Sequence, residues 1–334
     1  MTIKLNNGIE IPSIGIGTFM ISPENAEISV REALKMGYRL IDTANAYVNE
    51  RAVGRGIKTS GVDRDEIFVS TKLWPSEYEN PNAVAETLDR LGLEYIDLLF
   101  LHQPAGNWKS GYKQLENAYK KGLIKAIGIS NFEGKYIEEL LNFCEIEPQV
   151  IQVECHPYFT QDELRKITDP KNIKIMSWYP LGHGDKSLIN EPIFKVLGDK
   201  YGKTPAQIIL KWHTQMGFIV IPGSKNVEHI KDNFDLFDFE LTEDEMKDIC
   251  SLNRNQRYYY PSMDKLKVIC DTLQIDPYYL ISGAESNEMV NNDYIAVYRG
   301  EDEYNLMIEY QKLNQDNRSR LLGYLRALQD LNDK

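Results

Sequence analysis

The sequence predicts an α/β protein: a closed (β/α)8 barrel of the TIM type with a helical C-terminal tail. Three observations predict it. Eight short β-rich runs recur along the first two thirds of the chain. The segments between them carry helical apolar spacing; residues 24–36, with Ala26, Val30, Ala33 and Leu34, form one such face. The runs are nearly continuous in apolar residues, the pattern of parallel strands covered by helices. Eight such units in about 240 residues is the size of a closed barrel.

In chain order, residues 3–12 come first and read as a hairpin. Asn7-Gly8 stands between Ile-Lys-Leu and Ile-Glu-Ile-Pro, and Asn-Gly between alternating apolar runs favours a tight turn. This hairpin is placed to plug the bottom of the barrel. The strands then fall at 13–17, 39–43, 67–72, 96–102, 126–130, 150–154, 173–179 and 218–222. An open doubly wound sheet is the competing arrangement. It would announce a dinucleotide site by G-x-G-x-x-G after its first strand. Gly15-Ile16-Gly17 lacks the third glycine, and Gly54-Arg55-Gly56 sits inside a helical pattern. The barrel is therefore preferred.

Composition changes after about residue 257. Ten of the twenty tyrosines lie in 258–334, with eight Lys/Arg against thirteen Asp/Glu. Residues 262–273, 303–313 and 317–331 read as helices. The division is thus a barrel over 1–260 and a helical extension over 261–334. Apolar faces such as Leu321, Leu325, Leu328 and Leu331 are too small for a core of their own. They must be covered by the barrel or by a second copy, so self-association through the tail stays open.

The chain is 42% hydrophobic and 26% charged, as in ordinary globular proteins. No stretch approaches the ~20 apolar residues of a membrane helix, and the N-terminus has no apolar signal core. Four widely spaced cysteines form no C-x-x-C pair, which points away from a metal cluster or disulfide framework and toward the cytoplasm. A net charge of −12 disfavours a nucleic-acid surface. The expected partner is a small molecule, with no membrane and no metal.

Three polar residues end three successive strands thirty residues apart: Asp42, Lys72 and His102. Strand C-terminal ends meet on one face of a barrel, where active sites form. Tyr47 follows Asp42 on the loop leaving the same strand. Singly, each has an ordinary reading: a solvated lysine, a hydrogen-bonded structural histidine, an aspartate capping a helix. Their shared register favours the functional one. A tyrosine with a reference pKa of ~10 is a poor acid at neutral pH, and a nearby ammonium stabilises its phenolate. Asp42 can hold Lys72 against the phenol, and an uncharged His102 can donate to a carbonyl oxygen. The set suits protonation of an oxygen as hydride reaches its carbon. No nucleophile–base motif competes. His156 reads as structural or pocket-lining.

The motifs GYRLIDTANAYVNE, STKLW, LHQP, IGISNF, QVECHPY, SWYPLG and NFDLFDFELT occur in one order between about residues 3 and 257. Together they resemble the aldo-keto reductase family. The resemblance implies a barrel reductase of aldehydes and ketones that binds NADPH without a Rossmann fold, with Asp42, Tyr47, Lys72 and His102 as the catalytic four. It implies nicotinamide contacts from Ser130, Asn131 and Gln152, and stacking on Trp178. Thr18, Leu181 and Asn233 complete the implied cofactor positions. Phe19, Trp74, Gln103 and Trp108 fall at or near substrate-pocket positions. For the aromatics among them, the other reading is core or loop packing.

Three departures qualify this. Tyr179 stands where the family usually has Ser, and Gln103 where an aromatic often follows the histidine. The adenosine 2′-phosphate clamp usually reads I-P-K-S with an Arg five residues later; here it is Ile221-Pro222-Gly223-Ser224-Lys225, then His229. Lys225 is left to reach the phosphate, with Ser224, Asn226 and His229 as hydrogen-bond donors. The other reading is a solvated lysine, so NADH use stays open. The tail segment YYYPSMDKLKVICDTLQIDPYYLISG resembles the last helices of a repressor-type helix-turn-helix domain, but the helices that would read DNA are absent. The alternative function is a cofactor-sensing regulatory module with that tail. The intact quartet favours an enzyme.

Overall fold

The computed structural model describes residues 1–182 and 186–258, and the expected tail at 261–334 lies outside the described residues. β1 (Thr2–Lys4) and β2 (Glu10–Pro12) form the expected antiparallel hairpin, with Ile3 opposite Ile11. Leu5 N donates to Ile9 O at 2.8 Å across the turn, where Gly8 takes a φ of 89°. The Asn6 and Asn7 amides donate to the carbonyls of Pro148 and Lys125, each at 3.1 Å. Both carbonyls lie just before barrel strands, so the hairpin tip is pinned to the ends where those strands begin.

Eight parallel strands follow: β3 (Ile16–Gly17), β4 (Leu40–Asp42), β5 (Phe68–Leu73), β6 (Leu98–Leu101), β7 (Ile127–Ser130), β8 (Val150–Glu154), β9 (Lys174–Trp178) and β10 (Ile219–Val220). Each pairs with its neighbour in sequence, from β3 through β10. The last meets the first: Gly15 N donates to Val220 O, and Val220 N to Ser13 O, both at 2.9 Å. Gly17 lies opposite Gly223 across this seam. A Cβ on Gly17 would stand 2.8 Å from Ile221 O, and one on Gly223 3.0 Å from Gly17 O. The barrel closes where two backbones approach without side chains.

Helices α1 (Pro23–Lys35), α2 (Glu50–Thr59), α3 (Ala83–Leu91), α4 (Trp108–Lys120), α5 (Lys135–Phe143) and α6 (Asp162–Thr168) alternate with the strands. Between β9 and β10 lie α7 (Lys186–Ile189), α8 (Pro192–Tyr201) and α9 (Pro205–Gln215); α10 (Val227–Phe234) and α11 (Glu243–Cys250) follow. In α1, Ser22 is the N-cap, Pro23 opens the helix, and Ala26, Val30, Ala33 and Leu34 form the buried face the spacing predicts. Thr204 and Gln207 make a capping box that starts α9.

Successive strand side chains alternate between the two faces of a sheet. Ile41, Val69, Leu99, Ile127, Ile151 and Ile175 point outward into the layer packed by the helices. Leu40, Phe68, Leu98, Phe100, Ala126, Val150 and Met176 point inward and form one cluster with Leu5 and Ile11 of the hairpin. The lower interior is therefore filled and apolar. Following the same parity upward reaches Asp42, Ser70, Lys72, His102, Ser130, Gln152 and Trp178.

Phe100 occupies its inward position only because its neighbour is Gly128, where a Cβ would lie 2.2 Å from the Phe100 ring. Gly128→Ala should cost about 1–3 kcal/mol by overpacking this layer. Adding Phe100→Leu should recover part of that loss, since both changes act on one contact. Urea denaturation of the two single variants and the double would show the coupling; strictly additive losses would mean the two side chains do not share this space.

Candidate active site

The ends of β4 and β5 place two opposite charges inside the barrel. Lys72 Nζ donates to Asp42 Oδ2 at 2.6 Å, with side-chain exposures of 0% and 3%. It also donates to Thr43 O at 2.7 Å. Asp42 Oδ1 accepts from Ser70 Oγ at 2.8 Å and from Gln152 Nε2 at 3.0 Å. An ion pair out of water holds only when its remaining polar atoms are satisfied, and here three groups from two strands and a loop satisfy them. Burial pushes the Lys72 ammonium below its usual pKa, while the Asp42 charge and hydrogen bond and the Glu50 charge resist.

Tyr47 lies in a single 3-10 turn, Asn45–Tyr47, ended by Val48 at a φ of 55°. The turn is anchored at both sides. Asn45 Oδ1 accepts from Trp74 N at 3.0 Å. Asn49, buried just beyond, accepts from Thr43 Oγ1 at 2.8 Å and donates to Thr18 O and Ile21 O at 2.9 and 3.1 Å. The Tyr47 ring thus lies over the ion pair, its centroid 5.0 Å from Lys72 Nζ. Thr18 fixes the neighbouring loop through its N–H and hydroxyl, which reach Asp42 O at 3.0 and 3.1 Å.

His102 stands beside Tyr47, ring centroids 5.8 Å apart, and edge-on to Trp74 at 4.8 Å. Burial first, and the Lys72 charge second, hold its pKa well below 6.5. Its Nδ1 is buried without a hydrogen-bond partner, and an imidazolium would need acceptors at both nitrogens. The ring is neutral. Phe19 completes the wall, 5.0 Å from Tyr47 and 6.4 Å from Tyr179.

The structure gathers the expected nicotinamide positions at the ends of β7, β8 and β9. Asn131, at a φ of 65°, donates from Nδ2 to His102 O at 3.2 Å and to Ser130 Oγ at 3.1 Å, and accepts from Trp178 Nε1 at 3.3 Å. Gln152 lies alongside and also donates to Met176 Sδ. Leu181 packs against the outer core. Farther along the seam, Ser224 Oγ accepts from Asn226 N at 3.0 Å, and Asn226 Oδ1 caps α10 through Glu228 N at 2.9 Å. Lys225 and His229 are exposed, and Asn233 is buried.

Two of the expected substrate positions make contacts of their own. Trp108 opens α4 and packs edge-on against Phe132 and Phe143, at 5.6 and 5.8 Å. It belongs to the core cluster that the helices cover, which fits the packing alternative for this aromatic. The Gln103 backbone is tied to Tyr78, whose hydroxyl donates to Gln103 O at 2.8 Å and accepts from Gln103 N at 3.0 Å. The sequence reading passed over Ser70, Thr43, Asn45, Asn49 and Glu50. The last is buried, accepting from Thr71 Oγ1 at 2.6 Å and Arg90 Nε at 2.5 Å. Ser70 alone carried a signal, since it lies two residues before Lys72 on the same strand face. Among the described residues, no cluster of His, Cys, Asp and Glu could hold a metal ion, and no helix is long and apolar enough to cross a membrane.

The Aldo/keto reductase family profile matches residues 13–254. A glyoxal reductase of Bacillus subtilis (strain 168) is 43% identical over 270 residues, covering 79% of this chain and 97% of that one. Methylglyoxal reductase DkgA of Escherichia coli (strain K12) is 38% identical over 259 residues, covering 76% and 94%. Among solved structures, MGS-M4, an aldo-keto reductase from a Medee basin deep-sea metagenome library, superposes with a TM-score of 0.75 at 40% identity, over 78% of this chain and 97% of that one.

The neutral state of His102 has a measurable consequence. With its pKa lowered in the fold, the unfolded chain binds the proton first. The stability it contributes is complete above about pH 6.5 and is lost as pH falls below that value, by up to about 1.4 kcal/mol per pH unit. His213, buried and held at about 4, acts in the same sense. His102→Gln should therefore lessen the loss of stability between pH 7 and pH 5, leaving the His213 share. Urea midpoints at the two pH values test this, and an unchanged loss in the variant would show that His102 titrates as an ordinary histidine.

Proposed function

Because this chain belongs to the aldo/keto reductase family, we propose that it reduces small aldehydes and ketones to alcohols with NADPH, Tyr47 delivering the proton. The observation that carries this reading is the buried Lys72–Asp42 pair beneath the Tyr47 ring. A fixed positive charge in a dry setting favours a developing phenolate far more than the same charge in water. Asp42 and Thr43 hold the ammonium in place, so it need not reorganise as the proton leaves. Neutral His102, beside the phenol, can donate a hydrogen bond that orients a carbonyl oxygen without competing as an acid.

The residues at the strand ends suit a nicotinamide. Ser130, Asn131 and Gln152 present amide and hydroxyl groups for a carboxamide, and Trp178 offers an aromatic face held by Asn131. Bound NADPH supplies the hydride. At the adenosine end, Lys225 is the cation available for the 2′-phosphate, with Ser224, Asn226 and His229 as neutral partners, so the discrimination against NADH rests on one charge. Phe19, Trp74 and Tyr179 wall the substrate side. The names of the Bacillus and Escherichia relatives make short α-oxoaldehydes the first substrates to try.

Tyr47→Phe should lower turnover by about 10²–10⁴ while NADPH binding, followed by quenching of protein fluorescence, stays nearly unchanged. A variant that keeps more than a tenth of the turnover would remove Tyr47 from the mechanism. Lys225→Ala should weaken NADPH about 10- to 150-fold, the equivalent of one charge-assisted hydrogen bond, and leave NADH binding almost as it was. Equal losses for both cofactors would place Lys225 away from the 2′-phosphate.

A further inference from the structure

Asp42 is shared by more donors than an ion pair requires. Lys72 takes Oδ2, and Oδ1 receives Ser70 from β5 and Gln152 from β8, which reaches across the barrel. Ser70 is fully buried and faces inward two residues before Lys72, one pleat lower on the same strand. Its hydroxyl lies 2.8 Å from Asp42 Oδ1 and 3.3 Å from Ile41 O. One proton serves one acceptor well, and the charged, closer one takes it. The position is fully buried, so its partner accounts for the hydroxyl there.

We infer that Ser70 is a positioning residue for the proton-transfer step: its hydrogen bond to Asp42 sets how far the Lys72 ammonium is available to the Tyr47 phenol. The inference rests on the reading of Tyr47 as proton donor. With Ser70 in place, part of the carboxylate charge is taken up on Oδ1. Without it, more negative charge faces the ammonium, draws it toward Asp42 and offsets its field at the phenol. The phenolate then forms at higher pH. The other groups around the pair leave this argument standing. His102 is neutral. Glu50 on α2 is matched by Arg90. Glu154, at the end of β8, is engaged by His156 Nε2 at 3.1 Å and by Tyr258 N at 2.5 Å. Tyr47 and Lys72 are the groups left to respond on the alkaline side.

The test compares wild type with S70A, S70T and S70V, each as the full chain with NADPH. Threonine keeps the hydroxyl, and valine has its shape without it. Two quantities are read: the alkaline limb of the pH profile for methylglyoxal reduction, and the ultraviolet phenolate titration that disappears in Tyr47→Phe. S70A and S70V should move both upward by about 0.5–1 pH unit and lower kcat several-fold, while S70T should lie on the wild-type curves. Equal shifts in S70T and S70V would overturn the inference, as would lower rates with no shift in either curve, since both describe a residue that only packs. If S70A does not fold, the threonine and valine pair decides the matter on the same terms. A wild type that reduces no aldehyde or ketone would count against the proposed function, and the phenolate titration would still decide the role of Ser70.

Discussion

A lysine ammonium and an aspartate carboxylate enclosed together, with almost no exposure between them, set the terms for the rest of the barrel. Such a pair is costly to bury and more costly to leave half-satisfied. Its requirements explain the chemistry of the strand ends. Thr43 supplies a carbonyl, Ser70 and Gln152 supply donors, and Thr18 and Asn49 fix the adjoining loops. Below, the interior must be dry and full, which the inward leucines, phenylalanines and the hairpin provide. Above, one aromatic loop places a phenol over the charge.

This division into an apolar floor and a polar rim follows from strand alternation alone. Each inward position two residues beyond a core residue falls on the rim, so Leu40 leads to Asp42, Phe100 to His102 and Met176 to Trp178. A single-residue slip in a strand would send its polar group into the helix layer and bring an outward residue such as Ile41 or Leu101 to the mouth. The hairpin guards against part of this, because Asn6 and Asn7 tie it to the segments leading into β7 and β8.

Much of the architecture was legible in the sequence, and the reasons differ by feature. All eight strands fall within or beside the runs read from apolar patterning, and the hairpin follows from Asn7-Gly8. The strands are shorter than the runs at several ends; His102 follows β6, yet still donates from its N to Leu73 O at 2.9 Å. Asp42, Lys72 and His102 were visible as a group through their equal spacing. Ser70 carried only its position two residues before Lys72, and a lone hydroxyl in a β-rich run otherwise reads as ordinary strand composition. The contact between Gln152 and Asp42 spans 110 positions, and no local pattern encodes it. Trp108 follows His102 closely in sequence, and its contacts with Phe132 and Phe143 fit the core-packing alternative that the sequence left open.

The seam between Gly17 and Gly223 bears on how such a protein could be re-engineered. The resemblance to other family members places a cation at 223, and the usual route to stronger NADPH selectivity would restore it. Here even the first carbon of that side chain would come within 3.0 Å of Gly17 O, so the two strands that complete the cylinder would have to part slightly to admit it. If position 223 meets the coenzyme as the resemblance implies, a side chain there also bears on barrel closure. Positions 225 and 229, exposed and away from the ladder, offer charge without that mechanical penalty, and a designer seeking to retune the coenzyme would begin there.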